Sequence, residues 1–368
     1  MTKISTKLDT DRSTSILKAV IKHRLFIPIA FLGFLLLINI FINPGFLKIS
    51  MGKDSVGNSV LIGNLINILN NSTELVILAI GMTLVTAASG GQDISVGATI
   101  AIVGGVVMRV LCGSEIQPTE LHASIIVALL LGCLAGMACG AFNGILVSRF
   151  KIQPMVATLI LFTAGRSIGS MVMGGLKPKA AASFGYYGNF FPDIPIPTPI
   201  LITIVVVAVT FLILKKTNLG LYTQAVGIND KSSRLNGLNP AMIKLLSFII
   251  LGLCVGIAGF IQSSRVQTVN PYTIVPGIEM DVILAVALGG NSLNGGKFNM
   301  AGSIIGAYTI QTLTSMLTTL NVNTNAVPVF KAVIIIILVT IQTPVVKKFF
   351  SKKNILPKLT AGDVKERG

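Results

Sequence analysis

Long apolar runs separated by short polar stretches dominate this sequence of 368 residues. Only 11% of the residues are charged and 52% are hydrophobic, whereas a soluble domain carries about 25% charged residues. A soluble chain of this composition would lack the polar side chains needed to cover its surface. The apolar runs have the length of transmembrane helices, which need about 20 residues each. The sequence therefore predicts an all-α integral membrane protein.

The apolar runs predict about ten transmembrane helices with both termini in the cytosol. A basic segment, 1–24, precedes the first run, and a basic tail, 347–368, follows the last one. Lys and Arg concentrate on the cytosolic side of membrane proteins, so we expect both ends there and a transmembrane domain over residues 25–346. No small-residue cleavage site follows the first run, and we expect no cleavable signal peptide.

Two apolar runs differ in length from a single regular transmembrane span. Val60–Ser89 is long, so we expect a single span preceded by an interfacial or broken piece. Ile278–Gly290 is short for a span. Another run, Leu121–Ser148, carries small residues four positions apart, a spacing that permits close contact between helices. These small residues are Gly132, Gly136, Gly140 and Gly144.

Composition and motifs exclude several function classes. The formal net charge is +16, but the basic residues cluster at the ends and in loops, which suits topology and contact with anionic lipid rather than nucleic acid. The four cysteines and two histidines show no metal-ligand or redox spacing. The sequence contains no P-loop and no catalytic motif. We therefore expect no metal, no cofactor and no catalytic residue in this chain.

Residues 215–244 form the most prominent polar interruption of the apolar pattern. They carry five basic residues against one acid, Asp230. Apolar residues at helical spacing predict two short amphipathic helices. Asn229 is expected to begin the second of them and Gly237 to end it, and Asn239 is expected to begin the next span. The residues alone leave two interpretations open. The segment is either a solvated basic loop that fixes topology or a cytosolic surface that a partner protein grips.

Two glycine pairs, Gly90-Gly91 and Gly289-Gly290, lie where apolar runs break into polar loops. Paired broken helices in two halves of a chain are typical of transporters, although coincidence in a glycine-rich chain explains them equally well. Asp93 follows the first pair, where it is expected to cap the next helix or to face a polar pathway.

Charged residues are scarce inside the apolar runs. Arg166 is expected to pair with a carboxylate inside the bundle or to extend toward the membrane surface. Glu279 and Asp281 precede a run and are interpreted as acids in the first turn of a helix, where the helix dipole favours them.

Nine segments occur in a characteristic order along the chain, among them GGQDISVG at 90–97 and GGNSLNGG at 289–296. Together they resemble the permease subunits of bacterial ABC importers for monosaccharides of the ribose, xylose, galactose and galactofuranose type. The stretch KIQPMVATLILFTAGRSI at 151–168 is most similar to the galactofuranose-type permeases. Gln92 departs from the family, which usually has an aliphatic residue there. The other segments lie at 79–85, 140–147, 152–159, 225–229, 256–259, 279–285 and 329–332.

The resemblance implies a fold similar to the cobalamin-permease class, the type II importers, in the bacterial cytoplasmic membrane. It also implies three partners. A second permease, identical or a sister chain, shares the translocation pathway. A cytosolic pair of ATPase subunits binds ATP and Mg²⁺. An extracytoplasmic sugar-binding protein delivers the substrate.

The resemblance also implies roles for particular residues. Residues 220–239 would form the segment that couples to the ATPase, which favours the docking interpretation of the basic stretch. Its coupling residues would be Gly227, Asn229, Asp230, Arg234, Gly237 and Asn239. For the substrate pathway we select polar residues in the break and in the small-residue helices, each of which would serve equally well as a helix cap or an interhelical hydrogen bond. These are Gln92, Asp93, Asn143 and Thr158.

Three alternatives remain at this stage. An importer permease for a nucleoside, a branched amino acid or an autoinducer-type sugar would share most of these features. An ion-coupled carrier would need acids that change protonation within the spans, and Asp93 and Asp281 are its only candidates. A membrane-embedded transferase would need clustered Asp or His residues, which the sequence lacks.

Overall fold

The computed structural model of the chain describes residues 25–53, 58–323 and 325–342. The basic segment 1–24 and the basic tail 347–368 lie outside the described residues. The described residues fall into two compact units, one ending at Met316 and the other beginning at Leu317. The second unit contains the last turn of one helix and one further helix, and everything below on packing concerns the first unit.

Helices account for most of the described residues, and their order follows the apolar runs. The elements are α1 (Phe26–Ile42), β1 (Ser50–Lys53), β2 (Ser59–Ile62), α2 (Asn64–Asn71), α3 (Thr73–Ser89), α4 (Val96–Cys112), α5 (Ile125–Ser148), α6 (Pro154–Val172), α7 (Ala182–Gly185), α8 (Thr198–Lys216), α9 (Leu219–Ile228), α10 (Asp230–Leu235), α11 (Pro240–Val266), α12 (Ile278–Leu288), α13 (Met300–Thr319) and α14 (Val327–Gln342).

Several of these helices have the length and composition of membrane spans. Within the described residues, four helices qualify by both criteria, namely α5, α6, α8 and α11. A fifth span results if α2 and α3, which meet at an angle of 41°, count as one broken helix. This bend near Ser72 confirms the prediction that a broken piece precedes the span ending at Ser89. Shorter apolar helices also occur within α1 and at α4.

The prediction of an all-α chain is wrong for the segment between α1 and α2. Strands β1 and β2 pair antiparallel there, with Ser50 opposite Ile62. Gly52 lies under the Ile62 side chain, and a Cβ at Gly52 would overlap it. The amide of Leu61 donates to the carbonyl of Pro195 at 2.9 Å, which ties the hairpin to the loop before α8. Gly52 in β1 and the glycine directly after β2 lower the helix propensity of the segment.

Helix α3 is buried along almost its whole length, from Thr73 to Ala88. A helix that is apolar on every side belongs in the interior of a bundle. Ile77 and Ile80 of α3 form a cluster with Cys254 and Ile261 of α11. Helix α3 therefore lies in the interior of the bundle, where it packs against α2, α8, α9, α11 and α12.

Helices α5 and α11 approach each other closely along a line of glycines. A Cβ on Gly136 would overlap the carbonyl oxygen of Gly252, and one on Gly140 would overlap that of Phe248. Gly256 lies against Cys133 in the same interface. Backbone contact of this kind is the usual basis of helix association in membranes. The predicted small-residue contact is confirmed, except that Gly132 packs against Val103 and Val107 of α4 instead.

A buried ion pair joins α3 to α11 at the end of the bundle where α3 begins. Arg265 Nη2 lies 3.0 Å from Glu74 Oε1, with side-chain exposures of 18% and 7%. Arg265 also donates to the carbonyl of Asn70 at 3.0 Å, just before the bend between α2 and α3. The pair therefore holds the bend against the end of α11.

We predict that Gly140→Leu lowers the free energy of unfolding by about 1–3 kcal/mol, because the larger side chain forces α5 away from α11. Ala138→Leu on the exposed side of α5 is the matched control and should change stability by less than about 0.5 kcal/mol. Unfolding midpoints in detergent compare the two variants. Equal losses would contradict the close contact.

We predict that Arg265→Leu is more destabilising than the double variant Glu74→Leu with Arg265→Leu. The single change leaves a buried carboxylate without its partner, at a cost of roughly 3–5 kcal/mol. The double change removes both charges and should recover a large part of that loss. Unfolding midpoints in detergent compare the two variants. A double variant that is no more stable than Arg265→Leu would show that an unpaired Glu74 carboxylate is not the cause of the loss.

Candidate functional site

The chain breaks between α3 and α4 at the first glycine pair. Gly90 has a φ of 67° and adopts the left-handed conformation that ends α3. Glycine adopts this conformation without strain. Gly91 packs against the ring of Pro154, the first residue of α6. A Cβ built on Gly91 would lie 2.9 Å from carbon atoms of that ring. The next helix, α4, begins five residues later at Val96. The break thus lies between the end of α3 and the start of α6 and contacts both.

The second glycine pair ends α12, and its loop contacts the first break directly. The amide of Gly296 donates to the carbonyl of Ala87 at 3.1 Å. The side-chain amide of Gln92 donates to the carbonyl of Leu293 at 2.7 Å. A Cβ on Gly295 would lie 2.8 Å from the Cα of Gly90. The prediction that both pairs end apolar helices is confirmed, and the two loops meet in space.

Asp93 is the centre of a buried polar cluster at the start of α4. Its Oδ1 accepts from the Ser95 amide at 2.7 Å and from the Ser95 hydroxyl at 2.6 Å. The side-chain amide of Asn143 donates to Asp93 Oδ2 at 3.1 Å and to Ser95 Oγ at 2.9 Å. Three elements, the break, α4 and α5, are therefore joined through one carboxylate.

Thr158 of α6 contacts the same break. Its hydroxyl oxygen accepts from the Ile94 amide at 3.2 Å. Asp93, Asn143 and Thr158 thus meet around residues 93–95, whereas Gln92 turns toward the second loop. All four predicted pathway residues are buried, and their hydrogen bonds are those of a helix start and of contacts between helices. Their role in a pathway stays a prediction.

The second glycine loop is held by a network around Asn291. The Asn291 side-chain amide donates to Ser303 Oγ at 2.8 Å, and its Oδ1 accepts from the Asn299 amide at 2.7 Å. Thr83 Oγ1 of α3 lies 2.6 Å from Ser303 Oγ. This network attaches the loop between α12 and α13 to α3.

The basic segment 215–244 contains two short helices, α9 and α10, as predicted. Asn229 begins α10, where its side chain accepts from the Ser232 amide at 3.0 Å. Asn239 begins α11, accepting from the Met242 amide at 3.2 Å. Gly237 has φ of 80° in the turn after α10. Local sequence signals are sufficient here because a cap and its partner lie within three residues of each other.

Helix α9 rests on the last turn of α3. Val226 forms an apolar cluster with Ala88 of α3 and Ile243 of α11. A Cβ on Gly227 would overlap the carbonyl oxygen of Ala87. Because Ala87 is also the acceptor for Gly296, α9, the end of α3 and the second glycine loop share one contact region. We call this region the basic end of the bundle.

A cavity of about 230 Å³ opens at the basic end. Its charged lining residues are Lys151, Arg234, Lys244 and Asp230. Lys244 Nζ lies 2.6 Å from Asp230 Oδ2. The acid of the lining thus forms an ion pair with one of its three basic side chains. The lining also includes Ser89 and Pro154, beside the break.

Apolar side chains on α9 and α10 are unusually exposed. Leu235 is 90% exposed, Ile228 69% and Leu221 65%. Neighbouring Lys231 and Arg234 are exposed as well. A short helical segment with apolar and basic side chains facing outward suits contact with another protein.

The expected carboxylate partner of Arg166 is wrong: among the described residues it forms no ion pair. Its Nη1 instead donates to the carbonyls of Pro271 at 2.9 Å and of Ile274 at 3.2 Å. Its alternative placement toward the membrane surface stays a prediction. The irregular backbone before α12 leaves these carbonyls available, which no local pattern reveals. The Glu74–Arg265 pair was also missed, since its members lie 191 residues apart.

Comparison with known proteins agrees with these features. A family model described as "Branched-chain amino acid transport system / permease component" matches residues 64–341. The fructose import permease FruF of Bifidobacterium longum is 35% identical over 86% of this chain and 86% of its own length. The galactofuranose transporter permease YtfT of Escherichia coli is 36% identical over 77% and 80%. The ribose import permease RbsC of Escherichia coli is 36% identical over 77% and 87%.

No solved structure matches this chain. The family model covers well over half of the sequence, including both glycine loops and the segment from α9 to α11. Family members of this kind are transport components and not themselves enzymes. The chain belongs to the family of transport-system permease components, together with permeases named for fructose, galactofuranose and ribose.

Proposed function

We propose that this chain is the transmembrane permease subunit of an ATP-driven importer that moves a monosaccharide across the bacterial cytoplasmic membrane. The observation that carries this proposal is the identity of 35–36% to three sugar permeases over at least 77% of the chain. The buried polar cluster at the break supports it, because a transporter needs polar groups inside its helix bundle.

The finer architecture is part of the proposal. We place about ten membrane-embedded helices in the subunit, arranged as in the cobalamin-permease class, with both termini in the cytosol. The short helix α12, with 11 residues, then counts as a half-length element that ends at a break inside the bundle, and α4, with 17 residues, begins at the other break, as in other transporters. The basic end faces the cytosol, in agreement with its Lys and Arg content.

The proposed partners follow from this assignment. A second permease, identical or a sister chain, completes the pathway. A pair of cytosolic ATPase subunits holds ATP and Mg²⁺, and an extracytoplasmic binding protein delivers the sugar. We assign the exposed face of α9 and α10 to the ATPase contact, with Asp230 and Arg234 at its edge and Asn229, Gly237 and Asn239 shaping the two turns.

The contacts at the basic end provide a mechanical route for coupling. Force applied to α9 would reach the end of α3 through Val226 and Gly227, which pack on Ala88 and Ala87. Gly90 and the Asp93 cluster follow within six residues of Ala87 along the chain. Under this proposal, ATP-driven movement of the ATPase changes the geometry of the break and so opens or closes the pathway.

The decisive experiment reconstitutes the chain with its partner subunits in proteoliposomes. Uptake of labelled fructose, galactose, ribose and arabinose is measured with internal ATP and without an ion gradient. We expect ATP-dependent uptake of at least one sugar. Uptake that needs a proton or sodium gradient but not ATP would establish the carrier alternative. Competition by leucine, with no effect of the sugars, would favour an amino acid as the substrate, as the family description also allows.

We predict that Leu235→Asp weakens the association with the ATPase at least tenfold, because it places a charge where an exposed apolar side chain would be buried. Deletion of residues 232–237 or Asn229→Pro should abolish it. Ile116→Asp, at a 57% exposed apolar residue in the loop between α4 and α5, is the matched control and should bind normally. Co-purification from detergent measures the association, and retention by the Leu235 variant would refute the docking assignment.

A further inference from the structure

The first turn of α12 contains a buried acid that the predicted pathway set omits. Glu279 is only 6% exposed. Its Oε2 is buried and has no hydrogen-bond partner among the residues that the structure describes. A buried carboxylate oxygen without a donor is costly, so a donor from outside this chain is expected to satisfy it at some stage of the protein's cycle.

Glu279 lies against the start of α4. A Cβ on Gly97, the second residue of α4, would overlap Glu279 Oε2 and would lie 3.3 Å from Ile278 Cγ2. The N-termini of α4 and α12 are therefore adjacent. Each N-terminus presents backbone N–H groups that have no partner within the helix, together with the positive end of a helix dipole.

Helix α12 is too short to bring Glu279 to a membrane surface. Its 11 residues span about 16 Å at 1.5 Å per residue, roughly half of the hydrocarbon thickness of about 30 Å. Its other end, at Leu288, adjoins the glycine loop of the basic end. Glu279 therefore lies at an intermediate depth, next to the break that carries Asp93.

A second unsatisfied acceptor belongs to a side chain that contacts the same short stretch. Asn143 Oδ1 is buried and also has no hydrogen-bond partner among the described residues, while the Asn143 amide binds Asp93 and Ser95. Two side chains with unsatisfied acceptor oxygens, Asn143 of α5 and Glu279 of α12, thus contact residues 93–97. Around residues 93–97, side-chain oxygens therefore provide hydrogen-bond acceptors, and the N–H groups of the two helix N-termini provide donors.

This combination suits a neutral hydroxyl group better than an ion. A hydroxyl donates one hydrogen bond and accepts others, so it can donate to a carboxylate while it accepts from an N-terminal N–H. An anion would be opposed by the Glu279 carboxylate, and the positive ends of two helix dipoles, each of roughly half a charge, offset the attraction of that carboxylate for a cation. A polyhydroxylated solute such as a monosaccharide fits this pattern.

The position of Glu279 is close to the subunit surface. Its neighbours Gly277 and Met280 are exposed, Met280 to 56%. Glu279 thus adjoins, along the chain, positions on the outside of this subunit, where the proposed second permease would complete a pathway.

We propose that Glu279 is a substrate-binding residue of the pathway, whose carboxylate accepts a hydrogen bond from one hydroxyl of the sugar beside the N-terminus of α4. This inference rests on the proposed sugar-import function. It adds a residue on α12 to a predicted site that was confined to the first half of the chain.

The test uses the complete importer in proteoliposomes and the sugar among fructose, galactose, ribose and arabinose that the unaltered protein takes up best. Glu279→Gln should lower kcat/KM for uptake about tenfold, since a charge-assisted hydrogen bond is replaced by a weaker neutral one. Asp281→Asn, which removes the same charge two residues away, is the matched control and should stay within about twofold of the unaltered protein.

Monodeoxy analogues of that sugar separate binding from a structural role. The unaltered protein should lose about tenfold in kcat/KM for one analogue, the one that lacks the hydroxyl bound by Glu279. Glu279→Gln should show little further loss for that analogue but a full loss for the others. A purely structural residue would lower uptake of every analogue by the same factor, which would overturn the inference.

The outcomes also distinguish this inference from the proposed function. No ATP-dependent uptake of any sugar by the unaltered importer would refute both. Normal uptake by the unaltered protein with the same analogue profile in Glu279→Gln would refute the role of Glu279 alone. If Glu279→Gln fails to assemble with the ATPase, Glu279→Asp replaces it in the analogue comparison, because it keeps the charge and moves the carboxylate back by one methylene. An unchanged analogue profile in Glu279→Asp would then refute the role.

Discussion

The contact between the two glycine loops is the interaction on which the interior of this protein depends. A helix that breaks within a bundle exposes backbone N–H and C=O groups, and each must find a partner where water is scarce. Here the second loop satisfies the end of α3, since the Gly296 amide donates to the carbonyl of Ala87. The Gln92 side chain of the first break donates to the carbonyl of Leu293 in the second loop. Glycine is needed at the closest point because a side chain on Gly295 would meet the backbone of Gly90.

The same contact connects the two ends of the proposed mechanism. Helix α9 packs on Ala87 and Ala88, the Asp93 cluster follows the break, and α12 leads from the second loop back to Glu279 beside Gly97. A movement at the basic end would thus be transmitted to polar groups at an intermediate depth through packed backbone. This arrangement gives the proposed coupling a physical route through two short helices and two loops.

Much of the fold could be predicted because its signals are local. The apolar runs locate most helices within a few residues. Asn229 and Asn239 begin helices as predicted, since each cap binds an amide three residues away. The hairpin of β1 and β2 was missed, because its strands are short and the run that follows continues into helices α2 and α3. The partner of Arg166 was also missed, because backbone carbonyls of an irregular loop leave no mark in the residue types.

The sequence by itself determined that this chain is a helical membrane protein, that two of its helices end in glycine loops, and that a basic segment with two short helices interrupts the apolar pattern. These properties depend on composition and on residues within one or two turns of each other. Only the tertiary structure decided which groups come together: the two glycine loops, Glu74 with Arg265, Asp93 with Asn143, and Glu279 with Gly97. Those contacts join residues from 50 to about 200 positions apart, and their geometry follows from how closely the glycine-lined helices approach.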